Sequence, residues 1–139
     1  MFKSRNTNSE LCEQLQQASD GLLFISESDY PFEVLHWEAS DRLVITLETI
    51  LQKTGHPVDT PVEVVDIDSF FAIATTEQEW HNPEERETSK RFQALVETLR
   101  RNLNEIKVYR LGERSIDVYI IGKTPTGDYA GLSTKVVET

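Results

Sequence analysis

The most regular pattern of apolar and polar positions lies near the end of the chain. Ile116, Val118 and Ile120 alternate with Asp117, Tyr119 and Ile121. A period of two belongs to a strand whose side chains point alternately to its two faces. Thr124-Pro125-Thr126-Gly127-Asp128 then reads as a turn, because proline presets one backbone angle and glycine permits a positive one. Tyr129 to Val137 follows as a second strand, with Leu132, Thr134 and Val136 on one face. The pattern predicts a β-hairpin at the centre of a sheet. Ile106 to Leu111 reads as a strand before it, turned by Gly112-Glu113-Arg114-Ser115, and such short connections make the three strands antiparallel.

The helices show a different spacing. Leu11, Leu15, Ala18 and Leu22 recur at four, three and four residues, an amphipathic stripe capped by Asn8 or Ser9 and stopped at Gly21. Leu22 to Ile25 is a short apolar run, Ser26 to Pro31 a polar loop, and Phe32 to Trp37 an extended segment. Ser40-Asp41 opens a stretch in which Leu43, Leu47, Ile50 and Leu51 fit a helix that ends at Gly55-His56-Pro57, although the β-branched Val44-Ile45-Thr46 also suits a strand. Val62 to Ile67 reads as a strand, and Asp68 as the cap of a single turn through Phe70, Phe71 and Ala74. Thr75 to His81 reads as a loop. The sharpest helix start is Asn82 as cap, Pro83 in the first helical position, and Glu84 and Glu85 against the positive end of the macrodipole. Phe92, Leu95, Val96, Leu99 and Leu103 form its buried stripe, and Arg100 and Arg101 fall in its last turn. Three helices and four or five strands predict a sheet with helices on both sides.

A length of 139 residues suits one domain over residues 1–139, with a polar and loose stretch at 1–7. Apolar content of 38% with 27% charged residues is that of a globular chain. No apolar run is long enough to span a membrane. The charged N-terminus has no apolar segment behind it, so no secretory signal is expected, and the expected location is the cytoplasm. Cys12 is alone and reads as a small, partly buried helix residue. Twenty-four acidic residues against 14 basic ones leave a net charge of −10. Such a chain is repelled by nucleic acid and steered toward basic partners. Plain solubility accounts for the same charge.

Catalytic motifs are scarce. His36, His56 and His81 lack metal-ligand spacing and read as strand and loop residues. Gly122-Lys123-Thr124 resembles the end of a phosphate-binding loop, but Asp117 occupies the required first glycine and Pro125 opposes the required helix. Asp66 and Asp68 would share one face of a strand and could bind Mg²⁺ in a small hydrolase. The plainer reading makes Asp68 a helix cap and Asp66 a strand-end residue. Ser26, Ser28 and Ser69 have no histidine nearby in sequence to activate them.

Two loops look more like recognition surface. Ser26-Glu27-Ser28-Asp29-Tyr30 sets carboxylates beside hydroxyls and an aromatic ring, and Thr75-Thr76-Glu77-Gln78-Glu79-Trp80 repeats the combination with a tryptophan. Tyrosine and tryptophan are frequent interface anchors, though each also pins loops to a core. Glu138 and Thr139 add a side-chain carboxylate, a hydroxyl and an α-carboxylate behind an anchoring strand. Together these groups would present negative charge in imitation of a phosphate backbone.

Several stretches resemble the nuclease A inhibitor family, bacterial inhibitors of a sugar-non-specific DNA/RNA endonuclease. They are Ala18-Ser19-Asp20-Gly21-Leu22-Leu23-Phe24, Ser26-Glu27-Ser28, Tyr30-Pro31-Phe32-Glu33-Val34, Asp68-Ser69-Phe70-Phe71, Ala74-Thr75-Thr76, Val108-Tyr109-Arg110-Leu111-Gly112-Glu113 and Ser133-Thr134-Lys135-Val136-Val137-Glu138-Thr139. The resemblance covers nearly the whole chain and thins to a hydrophobic pattern across 38–63 and 83–105. It implies an α+β fold, a single-domain three-layer α-β-α sandwich with a mostly antiparallel, PR-1-like sheet. It also implies a non-enzymatic protein, monomeric when free, that binds a metal-dependent endonuclease one-to-one and blocks its active site. Thr139 would meet the partner's catalytic Mg²⁺, Glu27 would meet basic groups, and Gln78, Trp80 and Glu138 would complete the contact. No cofactor of its own is implied, the Mg²⁺ bridging only to the nuclease. The alternatives are an acidic adaptor for another basic protein, or a small metal-dependent hydrolase using Asp66 and Asp68.

Overall fold

The computed structural model describes residues 8–24, 30–37, 47–57, 59–75, 82–124 and 127–137. In chain order the elements are α1 (Asn8–Ser19), β1 (Leu23–Phe24), β2 (Tyr30–Pro31), β3 (Glu33–Trp37), α2 (Leu47–Thr54), β4 (Val62–Val65), α3 (Ile67–Thr75), α4 (Pro83–Asn102), β5 (Asn104–Leu111), β6 (Ser115–Lys123) and β7 (Tyr129–Val137). Five strands form one sheet in the order β3-β7-β6-β5-β4, every pair antiparallel, and β1 and β2 form a separate small hairpin. The predicted hairpin is β6–β7, and β6 is the central strand.

Both faces of the sheet are covered, which explains why Ile121 is buried as deeply as Ile120. Alternate positions in strands point to opposite faces. Val108, Val118, Ile120, Leu132 and Val136 join α1, α3 and α4 through Leu11, Leu15, Phe71, Phe92, Leu95 and Leu99. Tyr109, Leu111 and Ile121 meet Ile50 and Leu51 of α2 on the other face. Leu35, Trp37, Tyr119 and Tyr129 widen that second cluster.

Helix α4 forms as its sequence predicts. Asn82 accepts a hydrogen bond from Glu85 N (2.7 Å), and Asn82 N donates to Glu85 Oε1 (2.9 Å), a reciprocal capping box. Phe92, Leu95 and Leu99 are buried, and Leu103 N donates to Leu99 O to close the last turn.

Three local expectations are corrected. The segment after β4 is a nine-residue helix, α3, rather than a single turn. Its cap is Asp66 and not Asp68: Ser69 N donates to Asp66 Oδ1 (2.6 Å) and Phe70 N to Asp66 O (3.0 Å). The strand therefore stops at Val65, and Ile67 turns into the core. Strand β5 begins at Asn104, two residues before the regular alternation. Glu105 takes a positive φ of 53° where the β5–β6 register shifts between Asn104 and Lys107. With α3 counted, four helices flank the sheet among the described residues.

The β6–β7 pair also contains a close approach. A Cβ on Gly131 would lie 1.7 Å from the carbonyl oxygen of Ile120, so only glycine fits there. The segment 38–46, where helix and strand readings competed, lies outside the described residues, as does 1–7.

Candidate functional site

All five residues expected to touch a partner, Glu27, Gln78, Trp80, Glu138 and Thr139, lie outside the described residues. Their neighbours are described. Phe24 and Tyr30, which border the 25–29 segment, pair with each other across the β1–β2 hairpin. Thr75 ends α3 and Asn82 caps α4, bordering 76–81. Val137 ends β7.

These bordering residues gather toward one end of the sheet. Val137 pairs with Ser115, the first residue of β6, next to the Gly112–Arg114 turn and the start of β4 at Val62. Helices α3 and α4 run antiparallel. Asp68, near the start of α3, is ion-paired with Arg100 near the end of α4, whereas Gln93 Nε2 donates to Thr75 O (2.6 Å). The junction from Thr75 to Asn82 therefore lies away from the Asp68–Arg100 end. Helix α1 points the same way, its terminal Asp20 carbonyl accepting from Arg91 and its Gln14 bonded to Asn102. An aromatic cluster lies beneath this end: the Phe71 ring centroid is 6.2 Å from Phe32 and 6.1 Å from Phe92.

The small hairpin is held against β7 from two sides. The Thr134 hydroxyl lies 3.0 Å from Pro31 O and 3.4 Å from Tyr30 O. Lys135 Nζ sits 5.9 Å from the centre of the Tyr30 ring and 3.7 Å from Asp117 Oδ1. Tyr30 is thus half-buried, acting at least in part as a pin for its loop.

A polar chain on the α2 face had no signal in the sequence. His56 Nδ1 lies 2.6 Å from Thr54 Oγ1, and His56 Nε2 lies 2.8 Å from Asp117 Oδ2. Hydroxyl, imidazole and carboxylate in series resemble a nucleophilic triad. The Thr54 hydroxyl, however, also donates to Ile50 O (2.7 Å), the usual bond of a threonine in the last turn of a helix. Its proton is committed to the backbone, and the chain serves to tie the end of α2 to β6. His36 Nε2 makes a similar contact with Asp128 Oδ2 (3.1 Å). Residues 54, 56 and 117 are too far apart in sequence to be recognised as a unit.

Asp66 and Asp68 are each engaged by the protein's own groups. Ser69 bonds hold the Asp66 carboxyl below its ordinary range, and Asp68 turns to Arg100. Among the described residues no group of three or more His, Cys, Asp or Glu side chains is arranged to hold a metal ion. Cys12 is half-buried, and burial pushes its thiol up. Arg110 Nε lies 3.3 Å from Glu63 Oε1 in a shallow groove of about 240 Å³ lined also by Pro61, Val62, Glu113 and Ile116. No helix among the described residues is long and apolar enough to cross a membrane.

Comparison with known proteins adds one match. A family model described as Nuclease A inhibitor-like protein matches residues 9–139. No curated protein matches the chain. The match takes in every described element but the first residue of α1, and it spans the stretches in which the resemblance was read. The chain therefore belongs to the nuclease A inhibitor-like family.

Proposed function

We propose that this protein inhibits a metal-dependent, sugar-non-specific DNA/RNA endonuclease. It binds one-to-one and occludes the active site, and it performs no catalysis of its own. The family match, which runs through Thr139, carries this reading. The five contact residues are Glu27, Gln78, Trp80, Glu138 and Thr139. The gathering of the bordering residues Tyr30, Thr75, Asn82 and Val137 at one end of the sheet supports a single interface. The family's PR-1-like α-β-α sandwich belongs to the same proposal, supported by helices on both faces of an antiparallel sheet.

The chemistry is that of substrate mimicry. Such nucleases use a divalent ion and cationic groups to stabilise charge on phosphate. Thr139 brings its hydroxyl to the nuclease's Mg²⁺, where a phosphate would bind, and it offers no scissile bond. Glu27 meets basic groups beside the metal, and Gln78 and Trp80 contact the nuclease at the rim or core of the interface. The net charge of −10 speeds approach to a basic cleft and repels nucleic acid. The free protein is a cytoplasmic monomer that holds no metal.

The test is a stoichiometric titration of a sugar-non-specific, Mg²⁺-dependent endonuclease, read by DNA cleavage. Full-length protein should abolish activity at one equivalent. Deleting Thr139 should weaken inhibition roughly thirtyfold or more, as loss of an interface hot spot does, and leave unfolding unchanged. Equal inhibition by the truncated protein would refute the role of Thr139. No inhibition at excess would refute the inhibitor reading and leave the acidic adaptor.

A further inference from the structure

Strand β7 presents Ala130, Leu132, Thr134 and Val136 to the helical face of the sheet, all buried. Three of them are apolar, and their neighbours Val118 and Ile120 on β6 are apolar too. Thr134 is the exception. A valine of the same outline would fill this position by pattern alone. A buried hydroxyl in an apolar row is costly unless it is hydrogen-bonded. Here it reaches out of the sheet to the carbonyls of Pro31 (3.0 Å) and Tyr30 (3.4 Å), both in the β1–β2 hairpin. The next residue, Lys135, points to the opposite face and lies over the Tyr30 ring, held also by Asp117. Two successive residues of β7 therefore grip one short hairpin from opposite faces. Among the described residues the hairpin has two residue pairs, Leu23 with Pro31 and Phe24 with Tyr30. So small a hairpin is not stable alone, and its orientation comes from what it rests on.

We propose that Thr134 is a positioning residue for the inhibitory interface. Its hydroxyl sets the β1–β2 hairpin against β7 and so fixes Phe24 and Tyr30, which border the segment that carries Glu27. Lys135 supports the same contact from the other face. Thr134 itself does not touch the nuclease. This inference rests on the inhibitor reading above, with Glu27 as a contact residue. Preorganised contact groups bind more tightly because their ordering cost is met before association.

The test combines Thr134→Val, Thr134→Ser and Lys135→Met with Glu27→Ala in double-mutant cycles, reading the inhibition constant against the endonuclease. In the wild-type background Thr134→Val should weaken inhibition about five- to tenfold, the scale of one buried hydrogen bond. Thr134→Ser, which keeps the hydroxyl, should restore it. In the Glu27→Ala background Thr134→Val should cost almost nothing, because the residue acts through that segment. Amide exchange of the free protein should speed up at Phe24 and Tyr30 while the β6–β7 ladder is unchanged. Lys135→Met, a surface change that leaves the core intact, should give a smaller loss with the same dependence on Glu27, and it decides the matter if Thr134→Val does not fold. Equal losses with and without Glu27, or no loss from either variant, would overturn the positioning role. Wild-type protein that fails to inhibit would overturn the inhibitor reading along with it.

Discussion

Replacing Phe71 by alanine tests whether the aromatic cluster supports the end of the molecule where the bordering residues gather. Phe71 is 1% exposed. Its ring meets Phe70 edge-on at 5.0 Å and lies near 6 Å from Phe32 and Phe92. A buried phenylalanine removes roughly 150–250 Å² from water, which at about 25 cal/mol per Å² is roughly 4–6 kcal/mol. Alanine keeps part of this, and the surroundings relax, so the expected loss is about 3–5 kcal/mol. Unfolding entropy of about 2.1 cal/mol/K per residue over 139 residues converts that loss to a drop in Tm of about 10–17 °C. Phe71→Leu keeps most of the apolar contact and should cost only about 1–2 kcal/mol. Urea unfolding followed by both tryptophan fluorescence and circular dichroism measures each value, with coincident transitions confirming two-state behaviour. The reasoning fails if Phe71→Ala costs under about 1.5 kcal/mol, or if the leucine and alanine variants lose the same amount.

Two further predictions concern a helix start and a pH limit. Asn82→Ala removes one half of the α4 capping box and should lower stability by about 1 kcal/mol, near 3 °C in Tm, with Glu85→Ala adding little on top of it; additive losses in that double-mutant cycle would refute the box. Burial pushes the Tyr109 phenol up, helped by Tyr129, and burial with the Asp117 charge pushes Tyr119 up, outweighing a smaller opposite pull from the nearby Thr54 hydroxyl. A raised folded value leaves stability intact below the unfolded phenol value of about 10 and removes it as pH climbs toward the folded one. The urea midpoint should therefore fall above about pH 10, and less steeply in Tyr109→Phe; superimposable curves would refute the assignment.

Much of this fold was legible in the sequence because its strongest signals are local. The alternation of Ile116, Val118 and Ile120 and the Asn82-Pro83 start each depend on neighbours within a few residues. Asp66 was misread because capping and strand-ending aspartates look alike until the chain's direction is known. The start of β5 was hidden because the bulge at Glu105 breaks the alternation. The Thr54–His56–Asp117 chain was invisible for another reason, since it is made by the docking of α2 on β6 and not by spacing. The same holds for Thr134, whose position on an apolar face was readable while its partners Tyr30 and Pro31 were not. For the proposed contact residues, the segments that carry them were readable in the sequence, and the described structure adds the elements that border those segments.

The strand order has a consequence for how the chain is made. Among the described residues strand β3 pairs in the sheet with β7 alone, with Glu33 opposite Ser133, a hundred residues later. Strands β5, β6 and β7 need no such wait, because each pairs with the next through a short turn. During synthesis, β3 stands without this partner until β7 has left the ribosome, whereas α1 packs mainly on α4, which emerges earlier. Loop-closure entropy makes so distant a pairing slow. An unfinished chain thus leaves β3 with an unpaired edge, and holdase chaperones should engage it preferentially before β7 emerges.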